Sequence, residues 1–412
     1  MIGAGVFMMP ALLGAYGGIS VIGWLLSSVG AVLIAVLFSK FSRMIPGVQG
    51  GPYAFTREGI GEFPGFLVAW GYWISVWTTN AALSVAFVSY LSVFIPVLES
   101  HALYSIAVAL ILIWGLSWFN TLGISRVGRL SLITTVLKIA PIISIGFVGL
   151  LYIDFSHFTP FNLSRETSWM AIVSTTTLTF FSYLGIESAT IPANNIKDPE
   201  RIIPFATKWG TLIAAFVYIV SSISIIGLIP AQALSVSGAP FSDAAEILWG
   251  SGAQVLVTIA AMISVFGALN GWILIQGQMP EAIARDNLFP GVFRKRNKQG
   301  VPATGIIISS FLATILIIMN YSGSLMEVFK FMILVSTVSV LIPYLFCAIS
   351  YFVISKRAKY SRINNINTVL LTGLTFSFSL LALIGSGFDS IFWGVLFLFL
   401  GIPVYLRIKE RI

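Results

Sequence analysis

Long apolar segments, separated by short polar connections, follow one another along the whole chain. Eleven of them are long enough to cross a bilayer, since about 20 helical residues span a hydrocarbon core of roughly 30 Å. They lie at residues 18–42, 64–95, 102–119, 129–152, 168–194, 203–229, 250–280, 303–320, 328–354, 367–386 and 388–406. A twelfth apolar segment, at 1–13, is too short to span. The pattern predicts an all-α polytopic membrane protein.

Composition supports this class and adds a domain prediction. Of the 412 residues, 57% are hydrophobic and only 9% are charged, far from the usage of soluble domains. The longest polar connections, near 153–167, 230–249 and 281–302, are too short to form a core of their own. A single transmembrane domain over residues 1–412 is therefore predicted.

The basic residues indicate the orientation in the membrane. The segments are numbered in chain order, with 1–13 as the first. Twenty of the 23 Lys and Arg then fall on the side of the connections that follow even-numbered segments. Arg165 falls on the other side, and Lys138 and Lys330 lie within spans. The positive-inside rule makes the basic side cytoplasmic and favours an even total of twelve segments, as in a multi-pass protein of a bacterial-type inner membrane. Charges scattered over six short loops disfavour a nucleic-acid partner, despite a net charge of +8.

Two segments carry helix-loosening residues among apolar ones. The first contains "GAG", and the segment at 168–194 contains "SYLGIESA". They are the first and the sixth in order, the relation expected when five helices are repeated with inverted topology. Broken helices at corresponding positions indicate a transport site near the bilayer midplane. The alternative for either glycine motif alone is close helix packing.

Two charged residues inside spans are candidates for function. Glu187 lies in "FFSYLGIESATIP", where a carboxylate must be protonated or paired. It suits a counter-ion for a cationic substrate or a proton acceptor, although freed backbone amides at a helix break could also satisfy it. Lys138, one turn before Pro141, could neutralise freed carbonyls or extend to the cytoplasmic interface.

Enzyme and metal motifs are missing from the sequence. Both histidines, His101 and His157, lie in predicted outer loops, and the single cysteine, Cys347, lies in an apolar segment. No metal-ligand cluster, phosphate-binding loop or catalytic triad motif occurs. We therefore expect neither an enzyme nor a cofactor or metal site.

Longer motifs resemble a known family. They are "GAGVFMMPALL", "GGPYAFTREGIGEFPGFLVAWGYWI", "FFSYLGIESATIPANNIKDPERIIPFAT", "GAPFSDAA", "GWILIQGQMPEAIARDNLFP" and "VSTVSVLIPYL". Over essentially its whole length the chain resembles the amino acid–polyamine–organocation (APC) superfamily, and within it the basic amino-acid/polyamine antiporters typified by arginine/agmatine exchange.

The resemblance implies a LeuT-type fold with five-plus-five inverted repeats and two terminal helices, which works by alternating access. Helices 1–5 would lie within 1–152, helices 6–10 within 168–354, and helices 11 and 12 within 367–406. The partners implied are a small amino acid or polyamine and the lipid bilayer, with a homodimer left open.

The resemblance also implies site residues by motif position. Gly3, Ala4 and Gly5 match the backbone cradle for a substrate carboxylate, which suits a helix N-terminus. Aromatic gates are matched by Phe181 on the outside, Trp272 in the middle, and Tyr72 with Glu187 and Tyr344 on the inside. The lining positions are Ser75, Val76, Asn80, Leu184 and Ser336.

Departures from the family pattern leave the substrate open. Ala4 stands where a serine is usual, Val76 replaces a smaller polarisable residue, and Phe181 replaces a tryptophan. The arginine/agmatine exchangers lack a lysine at the position of Lys138, but other superfamily members, some of them proton-coupled, have a similar lysine.

The expected function is exchange of a basic amino acid for a related amine or amino acid, of the arginine/agmatine, lysine/cadaverine or ornithine/putrescine type. The alternative is proton-coupled amino-acid symport.

The beginning of the chain motivates a third hypothesis. Thirteen helical residues reach only about 20 Å, so the first segment corresponds to the outer half of a broken helix. We expect the chain to start at an internal methionine or to be a fragment. A non-transporting remnant is the second alternative.

Overall fold

The computed structural model describes residues 3–45, 51–190, 198–320, 323–357 and 365–410. All regular secondary structure in these ranges is helical. The α-helices are α1 (Ala4–Gly14), α2 (Ser20–Met44), α3 (Pro52–Ile60), α4 (Glu62–Leu91), α5 (Val97–Ser100), α6 (Ala102–Thr121), α7 (Ile124–Gly149), α8 (Ser168–Phe180), α9 (Pro199–Leu228), α10 (Ala231–Ser235), α11 (Pro240–Trp249), α12 (Ser251–Arg285), α13 (Ala303–Asn320), α14 (Leu325–Ser355), α15 (Asn365–Ile384), α16 (Phe388–Phe399) and α17 (Gly401–Lys409). Short 3₁₀ helices lie at Gly17–Ile19, Leu150–Tyr152, Phe155–Phe158, Phe181–Tyr183, Ile186–Thr190 and Gly291–Arg294.

Ten helical segments of the described residues are long and apolar enough to cross a membrane. They correspond to ten of the eleven predicted spans. The remaining one, predicted at 129–152, differs: its helix α7 runs over 26 residues, but the described apolar part, Ile139–Tyr152, is shorter than a span. The segment predicted as too short, α1, has 11 residues.

Helices also occur inside connections that the sequence pattern left as loops. Helix α3 begins with Pro52 in its first turn, where the missing N–H costs no hydrogen bond. It is bounded by Gly51 and Gly61, both at positive φ, which lets the chain turn sharply at each end. Helices α10 and α11 occupy the connection at 230–249. Both helices are too short to cross a membrane.

The centre of the protein is formed by α4 and α14, which pack against each other along most of their length. In α4, nearly every residue from Gly71 to Ala86 is buried. Gly71 permits this approach, since a Cβ there would lie 2.9 Å from the Ser339 carbonyl oxygen. Small residues at helix contacts are the usual solution in membranes, where apolar lipid gives helices little reason to associate. This pair carries much of the candidate site.

Candidate functional site

The helix of the sixth predicted segment is broken, as the sequence predicted. Helix α8 ends at Phe180, and the 3₁₀ turn Phe181–Tyr183 follows. Leu184 is extended (ψ 137°), Gly185 has φ +97°, and a second 3₁₀ turn begins at Ile186. Only glycine adopts that φ at little cost. The break therefore frees backbone groups within a transmembrane segment.

The beginning of α1 lies against this break. Gly3 is extended before the helix and provides no side-chain cap, so the amides of the first turn have no intrahelical acceptor. A Cβ on Gly5 would lie 2.7 Å from Ser182 Oγ and 2.9 Å from Ser182 Cα. The side chain of Ala4 is outside the described residues. The structure thus brings together the two motifs that the sequence singled out.

A buried carboxylate lies just beyond the break. Glu187 is 1% exposed, and one of its oxygens accepts a hydrogen bond from the Tyr344 hydroxyl. The Tyr72 hydroxyl interacts electrostatically with the same carboxylate. Neither that hydroxyl nor Glu187 Oε1 has a hydrogen-bond partner among the described residues. The predicted inner-gate residues are therefore neighbours, with spare hydrogen-bonding capacity between them.

Comparison with Glu281, a second buried acid, shows how unusual this environment is. The Glu281 carboxylate forms ion pairs with Arg285 at 2.7 Å and with Arg296 at 2.5 Å. Glu187 forms no ion pair with a lysine or arginine in the described part of the chain. Since an unpaired buried charge is costly, the Glu187 site favours a proton or a cationic ligand.

Aromatic and apolar side chains surround the break. Phe181 is 5% exposed and its ring packs edge-on against Phe329, with centroids 6.1 Å apart. The indole of Trp272 lies over Gly185, so that a Cβ on that glycine would be 3.1 Å from Trp272 Cζ2. Leu184 is buried beside them. Phe181, Leu184 and Trp272 are therefore grouped at the break.

The lining positions on α4 are fixed by hydrogen bonds to α14. The Ser336 hydroxyl donates to the Ser75 carbonyl oxygen at 3.0 Å and lies 2.7 Å from the Thr79 hydroxyl. Val76 is fully buried in the next position. Ser336 thus holds the two central helices in register, a role that its motif position alone did not indicate.

A polar relay that the sequence did not reveal connects α4, α12 and α13. Gln276 lies in α12 one turn after Trp272, and its Nε2 donates to the Ile306 carbonyl at 3.2 Å and to Ser310 Oγ at 2.8 Å. Because a carbonyl can only accept, this contact fixes which end of the Gln276 amide faces α13. Its Oε1 therefore faces α4.

The orientation of Gln276 determines that of Asn80. Asn80 must present its amide nitrogen to Gln276 Oε1, and the two atoms are 2.6 Å apart. Asn80 Oδ1 is left without a hydrogen-bond partner among the described residues, although the side chain is fully buried. The Asn80 amide thus has an unused acceptor.

The predicted outer end of α1 is covered by α10 and α11. Phe7 packs against Phe241 of α11, with ring centroids 4.9 Å apart, and its carbonyl accepts from the Tyr90 hydroxyl at 2.9 Å. Burial raises the pKa of Asp243 in α11, even though the Ser237 hydroxyl donates a hydrogen bond to it. The contacts of Phe7 tie the cover to α1, whose first turn lies against the break.

Lys138 lies in α7 before Pro141, but its side chain is outside the described residues. Within the described ranges, no group of three or more His, Cys, Asp or Glu side chains is arranged to hold a metal ion. The side chains gathered at the site offer ion pairing, hydrogen bonding and aromatic contact.

Known proteins resemble the chain over its full length. The sequence pattern of the family described as "Amino acid permease" matches residues 1–410. The chain belongs to the amino acid permease family. The permease is thus a multi-pass integral membrane protein and a transporter rather than an enzyme.

Individual relatives show which members of the family the permease resembles. The cadaverine/lysine antiporter of Escherichia coli (strain K12) is 29% identical to the permease over 392 residues, covering 94% of this chain and 87% of the relative. The putrescine transporter PotE of the same strain is 30% identical over 426 residues, covering 100% and 93%. The PotE of Haemophilus influenzae is 29% identical over 409 residues, covering 98% and 93%. The permease is therefore homologous to basic amino-acid and polyamine transporters of the APC superfamily.

Proposed function

We propose that the permease exchanges a basic amino acid for a related amine or amino acid, by alternating access in a LeuT-type fold with two five-helix repeats. The observation that carries the proposal is the Glu187 carboxylate, buried at a helix break with no basic partner among the described residues. A substrate ammonium or guanidinium supplies the missing positive charge.

The other site groups fit the two ends of such a substrate. The unpaired amides at Gly3–Gly5 suit the α-carboxylate of an amino acid, since a helix N-terminus carries partial positive charge. Asn80 Oδ1 suits an N–H donor of the cationic end, and Trp272 suits its aliphatic stem or a cation–π contact. Phe181, Tyr72 and Tyr344 are proposed as the gates.

Electrostatics also gives a reason for exchange. When the site changes its accessible side, it is closed to water for a time, and an empty site then encloses an unneutralised Glu187, whereas a site refilled with a second cation does not. A transport cycle in which a cation occupies the site at every change of access therefore has a lower free-energy barrier than a cycle with an empty site.

Vesicle transport tests the exchange. Purified permease is reconstituted into vesicles loaded with unlabelled arginine, lysine, ornithine, putrescine or cadaverine, and uptake of labelled lysine or ornithine is measured. At least one internal cation should stimulate uptake about tenfold over empty vesicles. Equal uptake into loaded and empty vesicles would reject exchange.

A proton is the other cation that the site suits, because Glu187 Oε1 has no hydrogen-bond partner in the part of the chain that the structure describes. This observation favours the alternative, proton-coupled symport of an amino acid. Under this alternative, a pH gradient drives uptake into empty vesicles, and internal amines have no effect. The same vesicles therefore distinguish the two functions.

Gln276 should affect substrate affinity without touching the substrate. Gln276→Leu removes the acceptor that holds the Asn80 amide, so Asn80 can turn its nitrogen toward the site. An unpaired buried polar group costs about 1–3 kcal/mol, which corresponds to an increase of roughly 5- to 150-fold in the KM for lysine. The maximal rate should change much less. Gln254→Leu, near the start of the same helix and bonded to Glu246, is the control. An unchanged KM in Gln276→Leu would contradict the orienting role.

A further inference from the structure

An apolar groove lies on the outer surface of the helix bundle, behind the candidate site. Its volume is about 560 Å³. It is lined by Trp70, Trp73, Ile74, Trp77, Ile308, Leu312, Ile315, Leu316, Met319, Asn320, Phe331, Trp393, Phe397 and Leu400. Ile315, Met319 and Leu400 are 39%, 70% and 56% exposed, so the groove opens to the membrane. Four of the permease's 11 tryptophans line it.

A second cavity, of about 590 Å³, lies at the predicted cytoplasmic end of the same face. Two arginines line it, and the other lining residues are uncharged: Asn287, Phe289, Pro290, Gly291, Val292, Val404 and Ile408. Arg294 is held by hydrogen bonds from its Nε to the Ala284 carbonyl and from its Nη2 to the Asn287 side chain, which leaves other N–H groups free. Arg407 forms no ion pair with a described residue.

The carboxylate nearest in sequence to this cavity is already paired. Asp286 accepts a hydrogen bond from the Tyr53 hydroxyl at 3.0 Å and forms an ion pair with Arg57 at 3.4 Å. Glu410, three residues after Arg407, does not line the cavity. No lining residue therefore cancels the positive charge of the two arginines. Such a cavity attracts an anion.

The cavity and the groove share a wall. Phe289 lines the cavity, and its ring centroid is 5.6 Å from those of both Trp70 and Trp73, which line the groove. Val404 of the cavity and Leu400 of the groove are one helical turn apart. A molecule with an anionic end and a long apolar end can therefore occupy both.

The cavity and the groove together extend over most of the membrane thickness. From Arg407 to Leu400 the helix rises about 10 Å, and from Ile308 to Asn320 about 18 Å, at about 1.5 Å per residue. The sum, about 28 Å, is close to a whole hydrocarbon core of roughly 30 Å. With the arginines at the level of the cytoplasmic phosphates, an acyl chain enters the groove from its cytoplasmic end and fills the part nearest the cavity.

We propose that this face binds one anionic phospholipid of the cytoplasmic leaflet, with its phosphate between Arg294 and Arg407 and an acyl chain in the tryptophan-lined groove. A soluble phosphate would leave the apolar groove empty. A second copy of the chain, related by a two-fold axis on this face, would bring four arginines together and is disfavoured by repulsion.

The lipid would lie against the back of the helices that carry the site. On α4, Trp73 and Trp77 line the groove. Tyr72, Ser75 and Val76, which are next to them in the sequence, belong to the candidate site. Filling the groove therefore supports the packing of α4 against α14 from the membrane side, whichever substrate the permease carries.

Quenching of tryptophan fluorescence by brominated phospholipids tests the proposal. The full-length permease is reconstituted in phosphatidylcholine with a small fraction of brominated phosphatidylglycerol or brominated phosphatidylcholine. Since each arginine near the membrane surface attracts anionic lipid, two of them are expected to give a preference of roughly tenfold or more for the anionic lipid. Arg294→Gln/Arg407→Gln should remove this preference, and Arg201→Gln/Lys298→Gln, which deletes two other exposed cytoplasmic charges, should keep it.

A second variant tests the groove independently of charge. Ile315→Phe fills the groove from its exposed edge without adding a tryptophan, and should weaken quenching by the anionic lipid, with little change in the thermal stability of the detergent-solubilised protein. Equal quenching by both lipids in the unaltered permease would overturn the proposal. Displacement of the brominated lipid by millimolar glycerol phosphate, or a cross-linked dimer that protects the groove, would also overturn it, in favour of a soluble anion or a second copy.

Discussion

Glu187→Gln is expected to lower exchange by about 10- to 150-fold, because a hydrogen bond or ion pair to a charged group is worth about 1.5–3 kcal/mol. The substitution preserves size and can still accept from Tyr344, but it removes the negative charge that a cationic substrate would neutralise. The measurement is the initial rate of labelled lysine uptake into amine-loaded vesicles, corrected for the amount of permease incorporated.

Glu246→Gln is the matched control, since Glu246 lies exposed on α11 and pairs only with Gln254 among the described residues. Its exchange rate should equal that of the unaltered permease. If Glu187→Gln exchanges at the full rate, the carboxylate is structural and the proposed role in substrate recognition fails. If it loses exchange with amines but keeps pH-driven uptake, Glu187 is not the proton acceptor of the alternative function.

Gly5→Ala is the second change for which we expect a large loss of transport. The added Cβ would lie 2.7–3.1 Å from three atoms of Ser182, one of them the backbone Cα. Backbone cannot move aside cheaply at a helix break, and overpacking of this kind costs about 1–3 kcal/mol. We expect exchange to fall by roughly tenfold or more, as the start of α1 is displaced from the break.

Gly115→Ala is the control for this prediction. A Cβ on Gly115, in α6, would meet no atom within 4 Å, and alanine favours a helix over glycine by about 1 kcal/mol. Its transport should be unchanged. Normal exchange by Gly5→Ala would mean that close contact between α1 and the break is not needed for substrate binding. Thermal unfolding in detergent separates a local effect on the site from a loss of folding.

Several of the largest features could be predicted from the sequence. A span needs about 20 apolar residues whatever its neighbours are, so ten of the eleven predicted spans recur as helices that can cross a membrane. The break at Gly185 was also predictable, because glycine and polar residues inside an apolar segment weaken the helix locally. The described apolar part of α7, Ile139–Tyr152, is shorter than the span predicted at 129–152. That this segment crosses the membrane stays a prediction.

The candidate site was predictable only as separate positions. Motif resemblance selected Tyr72, Glu187 and Tyr344 from three distant segments, and the structure brings them together. Their roles in substrate binding and gating remain proposals. The role of Gln276 could not be predicted, since a glutamine in an otherwise apolar helix does not indicate which helix it contacts or how its amide is oriented.

The sequence by itself determined that this chain is a multi-pass helical protein, where most spans lie, and which two segments loosen near their middle. These properties depend on local free energies of transfer and on local backbone freedom. The tertiary structure decided which polar groups meet. It left Glu187 without a cation among the described residues, where Glu281 has two arginines, and it turned Asn80 so that an acceptor stays free. Both outcomes depend on contacts between helices far apart in the chain, which local transfer energies do not encode.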